Sequence, residues 1–283
     1  MEAAGIWVVP AKKGIVNRLY AIGDCHIGNA GCAIEKLRED VERAHDDKDS
    51  VVLLMGDLAD YIGPDDNKRW DPSTITPDVP VKKLAQWGQY LAECVVNVFR
   101  PLKGKIIGSL YGNHEHQFMR RAAAEQLHNW VCTELGTRNL GYCCFFNLSF
   151  RRGTDQIATR SYRVFAHHGA GSARTAGGKM NRLVSFMLTN EADVYLVGHL
   201  HERDVKRIDT LATDKDCKEI KSRKRLGVFT GTYLRTYNQG PESGYGERAG
   251  YVPVPLGCSV IEFNPWRHDG YTNDESVSAR VVI

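Results

Sequence analysis

Five times along this 283-residue chain an apolar run ends abruptly in a residue able to bind a metal, four times just after a glycine. RLYAI leads into Gly23-Asp24-Cys25-His26, and VVLLM into Gly56-Asp57. IIGSLY leads into Gly112-Asn113-His114-Glu115, YRVFA into His167-His168-Gly169, and DVYLV into Gly198-His199-Leu200-His201. Runs this short, rich in β-branched and aromatic residues, read as buried strands. In open α/β sheets ligands collect beyond the carboxyl ends of the strands. Five strand ends carrying Asp, Asn and His therefore predict one convergent site. Mixed nitrogen and oxygen donors in that number suit a pair of divalent ions.

The order D-x-H, G-D, G-N-H-E, H-H-G, G-H-x-H resembles the calcineurin-like metallophosphoesterase family, over about residues 18 to 201. GD or GNH alone occurs by chance in many proteins; five blocks in this order, each after its own strand, are specific. Through the H-H-G block the chain is also similar to the nuclease domain of enzymes acting at DNA double-strand breaks. The block GYGERAGYVPVPLG is similar to compact phosphoesterases of phages and prophages.

The resemblance implies a four-layer α/β/β/α sandwich of two mixed sheets with the metals at the strand ends. It implies that Asp24, His26, Asp57 and His201 hold one ion, and that Asp57, Asn113, one histidine of the H-H-G block and His199 hold the other. Strand alternation and the family's H-x-G form favour His167 as that histidine, with His168 turned toward the substrate or buttressing the ligands. Mn²⁺ is the expected ion, with Fe or Zn²⁺ as alternatives for the same donors. A hydroxide bridging the metals would attack phosphorus. His114 would stand beside the leaving group as its acid, oriented by Asp24. Glu115, Arg174 and Lys179 are expected near the substrate or behind the ligands.

A hydrophobic content of 42% and a charged content of 25% fit an ordinary globular chain with a substantial core. One domain over residues 1–283 is expected, with a polar insert over about 61–80 and an extension of the second sheet over about 226–283. The net charge of +3 neither demands nor excludes nucleic acid. Eight cysteines, with no C-x-x-C, read as reduced thiols in a cytoplasmic protein rather than a disulfide framework. No run reaches membrane-spanning length. The expected partner is a phosphoester substrate, nucleic acid being one candidate.

Between the blocks, Ile34, Leu37 and Val41 predict a helix, and further helices are expected over 81–99 and about 116–135. Asn181 is the candidate cap of the helix after the H-H-G loop. Residues 1–17 read as an extended lead-in, His45, His128 and His268 as surface or capping residues, and the basic run 215–225 as a solvated hairpin or loop. The favoured function is phosphodiester hydrolysis, with a DNA or RNA nuclease as one form of it. The alternatives are a nucleotide or cyclic-nucleotide phosphodiesterase, a phosphomonoesterase, and a scaffold that has lost catalysis.

Overall fold

The alternation of strand and helix signals is realised as two sheets packed face to face, with helices on both outer faces. The computed structural model describes residues 1–12, 14–77, 79–122, 124, 126–152, 159–237, 245–248, 250–265 and 279–282. In chain order the elements are β1 (Glu2–Ala11), β2 (Asn17–Ile22), α1 (Ile34–Asp46), β3 (Ser50–Met55), α2 (Trp87–Phe99), β4 (Ile106–Leu110), α3 (Asn113–Arg121), α4 (Leu127–Glu134) and β5 (Cys143–Arg152). They continue with β6 (Thr159–His167), α5 (Ala176–Thr189), β7 (Val194–Val197), β8 (Val205–Thr213), β9 (Ile220–Phe229), β10 (Gly231–Thr232), α6 (Tyr245–Arg248), β11 (Gly257–Phe263) and β12 (Ala279–Val282). One sheet runs β1-β5-β6-β7-β9-β8; the other runs β10-β11-β2-β3-β4, with β12 on β11. Both are mixed: β2, β3 and β4 are parallel and β11 opposes β2, while β6, β7 and β9 are parallel and β5 opposes β6.

Strand β2 shows how sequence makes the layers. Period two sends Leu19 and Ala21 to one face and Tyr20 and Ile22 to the other. The first pair joins Leu53, Phe146, Val164 and Leu196 between the sheets. The second joins Leu37 and Val41 of α1 and Leu91 and Phe99 of α2. On the far side, Leu183 and Met187 of α5 cover Phe165, Tyr195 and Phe229. Central strands buried on both faces must be apolar throughout, which is why their runs carry no polar alternation. Leu19, Ile22, Leu53 and Leu54 are fully buried, each contributing about 1.5–3 kcal/mol over its exposed state.

Several local expectations are corrected. The expected lead-in contains β1, which pairs in parallel with β5 and sends Val9 and Ala11 into the core between the sheets. The 81–99 helix begins as a 3-10 turn, Val81–Gln86, before α2. The 116–135 helix is two helices, and the first starts at Asn113 because the Glu115 carboxylate takes the Gly112 N–H at 2.9 Å. Helix α5 is capped by Thr175, whose hydroxyl accepts from Gly178 N at 3.1 Å, so Asn181 lies inside it. His128 is buried rather than on the surface. Of the C-terminal strands, β9 joins the sheet of β7 but β11 joins that of β2. All eight cysteines are free. The glycine- and tyrosine-rich stretch 233–255 lies partly, and His268 wholly, outside the described residues.

The basic run forms the turn and second strand of the β8–β9 hairpin. Strand β9 runs parallel to β7, with Phe229 opposite Val197 at the site end. Ile220 therefore lies roughly 30 Å away along the strand. The basic run starts at the end of the sheet remote from the ligand blocks.

Candidate metal centre

Each of three ligand loops leaves its strand through a backbone conformation that side chains rarely adopt. Asp24 and His26 (φ 49° each), Asp57 (φ 47°), His199 (φ 67°) and His201 (φ 48°) are all left-handed. Such residues cost about 1–3 kcal/mol each, and a cluster of them points from strain to function. Cross-loop hydrogen bonds offset the cost: Asp24 N donates to Gly56 O at 2.9 Å, Cys25 N to Asp57 O at 2.8 Å and Ile27 N to Leu58 O at 3.1 Å. Gly56 (φ +87°) lets the loops touch, since a Cβ there would lie 2.6 Å from Gly112 N. A Cβ on Gly112 would strike the Asp57 carboxylate.

The strand ends bring the donors together in three overlapping groups: Asp24, His26 and His201; His26, Asp57 and His114; Asp57, His168 and His199. Within each group the donor atoms lie within 4.8 Å of one another. Asp57 belongs to two groups. Asn113 Oδ1 lies 3.2 Å from His168 Nε2, which is 3.3 Å from Asp57 Oδ2.

His168, and not His167, stands in the cluster, against the sequence expectation. Val164 and Ala166 face the core between the sheets, and Phe165 faces α5. The same alternation turns His168 inward, where its Nδ1 meets Met55 O at 2.9 Å. His167 points outward. Its Nδ1 accepts from Gly169 N at 2.8 Å, and its ring packs 4.6 Å from that of Phe186. Alternation was the right rule, applied from the wrong face.

Hydrogen bonds fix the ring tautomers. His26 Nδ1 meets Asp60 Oδ1 at 3.1 Å, His168 Nδ1 meets the Met55 carbonyl, and His199 Nε2 meets Gly171 O at 2.9 Å. His26 and His199 each spend one nitrogen as a donor and keep the other as a lone pair, the arrangement usual behind metal-binding histidines, whereas His168 Nε2 carries a proton that a cation would displace. Burial holds His26 and His199 below the ordinary histidine range, with neighbouring histidine charge acting the same way. Burial would raise Asp57, yet His168 and His114 hold it well below the usual carboxylate range. Burial likewise opposes the protonated forms of His168 and His114. The Asp57 charge overrides it, raising His168 to about 10, and with Asp60 it raises His114 as well.

The donor set fits divalent cations. Asp24 Oδ1 is buried without a hydrogen-bond partner, a costly state for a carboxylate oxygen unless a cation meets it. Beside it, His26 Nε2 and His201 Nε2 face each other at 3.2 Å. Those three side chains form one of the donor groups.

Asp24 does not orient His114. Its Oδ2 accepts from His199 N at 2.9 Å and its Oδ1 faces His201 Nε2 at 3.4 Å. His114 Nδ1 instead contacts the backbone oxygen of Asp60, and the Asp60 carboxylate lies 3.3 Å from the same nitrogen. Asp60 was not singled out from the sequence, although a second carboxylate three residues after Asp57 in GDLAD was a readable signal. Glu115, buried, accepts from Leu58 N at 2.7 Å and from Asp57 N and Gly112 N at 2.9 Å each, tying two ligand loops together. Lys179 pairs with Glu202 at 3.0 Å and Arg174 lies over the Tyr251 ring at 5.6 Å, so neither reaches the cluster. The insert is held by Arg121 on Asp65 and Asp66 and by Arg248 on Asp71. It also bridges Ile75 to Asn29, just beyond His26.

The family described as Calcineurin-like phosphoesterase matches residues 18–203. Among solved structures, Vacuolar Protein Sorting 29 from Cryptosporidium parvum is 13% identical, with 94% of this chain and 98% of that chain covered and a TM-score of 0.37. A conserved uncharacterized protein, predicted phosphoesterase, from Streptococcus pneumoniae TIGR4 is 13% identical, with 89% and 85% covered and a TM-score of 0.33. Wild-type Vps29 complexed with zinc from Entamoeba histolytica is 12% identical, with 94% and 98% covered and a TM-score of 0.34. No curated protein matches the chain. Among the described residues, no helix is long and apolar enough to cross a membrane.

Proposed function

We propose that this chain, which belongs to the calcineurin-like phosphoesterase family, hydrolyses phosphodiesters with the help of two divalent ions. The observation that carries the reading is the place of Asp57 between two sets of donors, with His26 on one side and His168 and His199 on the other, while His26 also groups with Asp24 and His201. Asp24, His26, Asp57 and His201 would hold one ion, and Asp57, Asn113, His168 and His199 the other. Mn²⁺ is our choice, and Fe or Zn²⁺ suit the same donors. Bound there, the ions supply Lewis acidity toward phosphoryl oxygens and lower the pKa of water.

The chain's own residues do the rest. Asn113 offers an oxygen without a charge, which keeps the centre more electrophilic than a wholly carboxylate set would. His114 N donates to Asp57 Oδ1 at 2.8 Å, so the acid and the shared carboxylate move as one unit. With Nδ1 held by Asp60, His114 has Nε2 left for the departing oxygen. Asp57 and Asp60 raise its pKa, which favours the protonated form that donates to the departing oxygen.

The basic run starts at the remote end of its sheet and continues along β9 to Arg225, close to Lys206 and Arg207 of β8. The phosphodiester reading therefore takes in both a small nucleotide-type diester and a nucleic-acid strand. The preference for diester over monoester rests on the H-H-G likeness.

The test is hydrolysis of bis-p-nitrophenyl phosphate against p-nitrophenyl phosphate, with Mn²⁺, after chelation, and in Asp57→Asn. Chelator-sensitive turnover of the diester, lost in the variant, is the expected result. Preference for the monoester would move the reading to a phosphatase. Bound metal with no turnover of either ester would favour a scaffold.

A further inference from the structure

An unbroken series of rings leads from the cluster to the surface. Starting at His168, the Tyr142 ring stands 5.3 Å away and nearly perpendicular. Tyr111 follows at 5.8 Å, and His116 lies parallel to Tyr111 at 6.0 Å with only 11° between their planes. A branch runs from Tyr142 to His167 at 5.5 Å and on to Phe186 at 4.6 Å. Tyr111, Tyr142 and His167 are half-buried, and the His116 ring is exposed. Tyr111 also meets the buried His128 ring edge-on at 5.7 Å, which anchors the strip on its inner side. Tyr111 and His116 flank Asn113 and His114 in sequence, so the strip begins at the turn that carries the proposed acid.

The strip is not purely apolar. The Tyr142 hydroxyl donates to Gly169 O at 3.0 Å. The Arg182 guanidinium stands beside Gly171, the residue whose carbonyl takes His199 Nε2. Arg182 makes no ion pair among the described residues and precedes Phe186 by one helical turn. Half-exposed ring faces that lead away from the donor cluster suit a group that is flat, polar at its edge and linked to phosphate.

We propose that the Tyr111–His116 end of this strip is a nucleobase subsite, so that the substrate is a nucleoside-bearing phosphodiester. The proposal rests on the reading of the adjacent cluster as the phosphoester site and deepens it. Stacking on aromatic side chains tolerates any base, because every base has a π-face. The subsite therefore distinguishes nucleotides from alkyl or glyceryl diesters rather than one base from another.

Equilibrium binding keeps this test separate from catalysis. Thymidine 5′-monophosphate and methyl phosphate are titrated into the Mn²⁺-loaded protein, and into Tyr111→Leu, Tyr111→Phe and His116→Ala. The wild-type chain should bind the nucleotide at least about fivefold more tightly than methyl phosphate, the lower bound of one stacked base. Tyr111→Leu and His116→Ala should shrink that ratio, and Tyr111→Phe should keep it. Methyl phosphate affinity should stay the same in all four proteins. Equal affinity for the two probes in the wild-type chain, or a ratio that survives both ring removals, would overturn the subsite. His116 is exposed, so its variant carries the test even if Tyr111→Leu does not fold. Turnover of thymidine 5′-(p-nitrophenyl) phosphate and methyl p-nitrophenyl phosphate is read in parallel. Loss of turnover on both with the binding ratio intact would sink the catalytic reading and leave the subsite standing.

Discussion

Replacing Asp60 by alanine isolates what a residue outside the proposed ligand set contributes. Asp60 is buried, with Oδ1 3.1 Å from His26 Nδ1 and Oδ2 accepting from Asn29 at 3.2 Å. The first bond selects the His26 tautomer that leaves Nε2 a lone pair. In Asp60→Ala, that tautomer strands a buried N–H, at about 1–3 kcal/mol. The ring can escape by moving its proton to Nε2, but that nitrogen then no longer binds a cation. On either route the cost falls on the metal-loaded state. At about 1.4 kcal/mol per decade, it corresponds to a roughly 10- to 100-fold loss of metal affinity, the usual effect of removing a partner behind a ligand. Isothermal titration with Mn²⁺ should show that loss in Asp60→Ala and recover most of it in Asp60→Asn, whose amide oxygen can accept the same bond. His114 gives a second readout. Both variants keep the backbone oxygen on its Nδ1 and lose the charge that helps to raise its pKa. The His114 pKa then falls, and the alkaline limb of turnover at saturating metal should move to lower pH. Unchanged Mn²⁺ affinity in Asp60→Ala would refute the account of Asp60 as the residue that sets the His26 tautomer.

The two adjacent histidines should separate cleanly: His168→Ala is expected to lose bound metal and His167→Ala to retain it, measured by elemental analysis after gel filtration. Equal metal content in the two variants would remove His168 from the ligand set. Glu115→Gln can keep one oxygen on Asp57 N and Gly112 N, but then turns an amide N–H toward Leu58 N, a buried donor left unpaired. The cost is about 1–3 kcal/mol, which in a domain of this size lowers Tm by roughly 2–10 °C. Thermal unfolding in chelator checks it, and an unshifted Tm would mean that the Glu115 bonds are not holding the loops.

The parts of the site that were legible in the sequence are those where one rule of chemistry acts alone. Asp24, His26, Asp57, Asn113, His199 and His201 follow apolar runs that have no other reason to stop at a metal-binding residue. The layers were legible too, because strands such as VVLLM are apolar on both faces and need cover on both. What escaped depended on facing and on distant partners. His167 and His168 differ by one position on a strand, and only the direction of Val164 and Ala166 decides which turns inward. Asp60 acts through a side-chain bond to His26, 34 residues away, and through its backbone oxygen. The GDLAD spacing marks a second carboxylate but not which ring it meets. Strand β1 was missed because its partner β5 begins more than 130 residues later and its outer face is exposed at Ile6 and Val8.

The proposed ligand residues share a further property that bears on where specificity can arise. Several of the partners that fix these rings or their loops belong to the body of the fold. Met55 at the end of β3 holds His168. Thr232 of β10 and Tyr233 just after it both donate to the carbonyl of strained Asp24. Glu115, in the first turn of α3, pins the Asp57 loop. A centre supported in this way inherits its geometry from packed sheets, and held side chains of this kind keep productive distances without help from a substrate. Variation at the centre itself would remove the metals before it changed the substrate. The choice of substrate must then reside in what the sheets do not fix. That leaves the insert pinned by Arg121 and Arg248, and the ring strip that ends at the exposed His116. The same scaffold can keep its phosphoester chemistry while these two borders change, because neither border contributes a donor to any of the three groups.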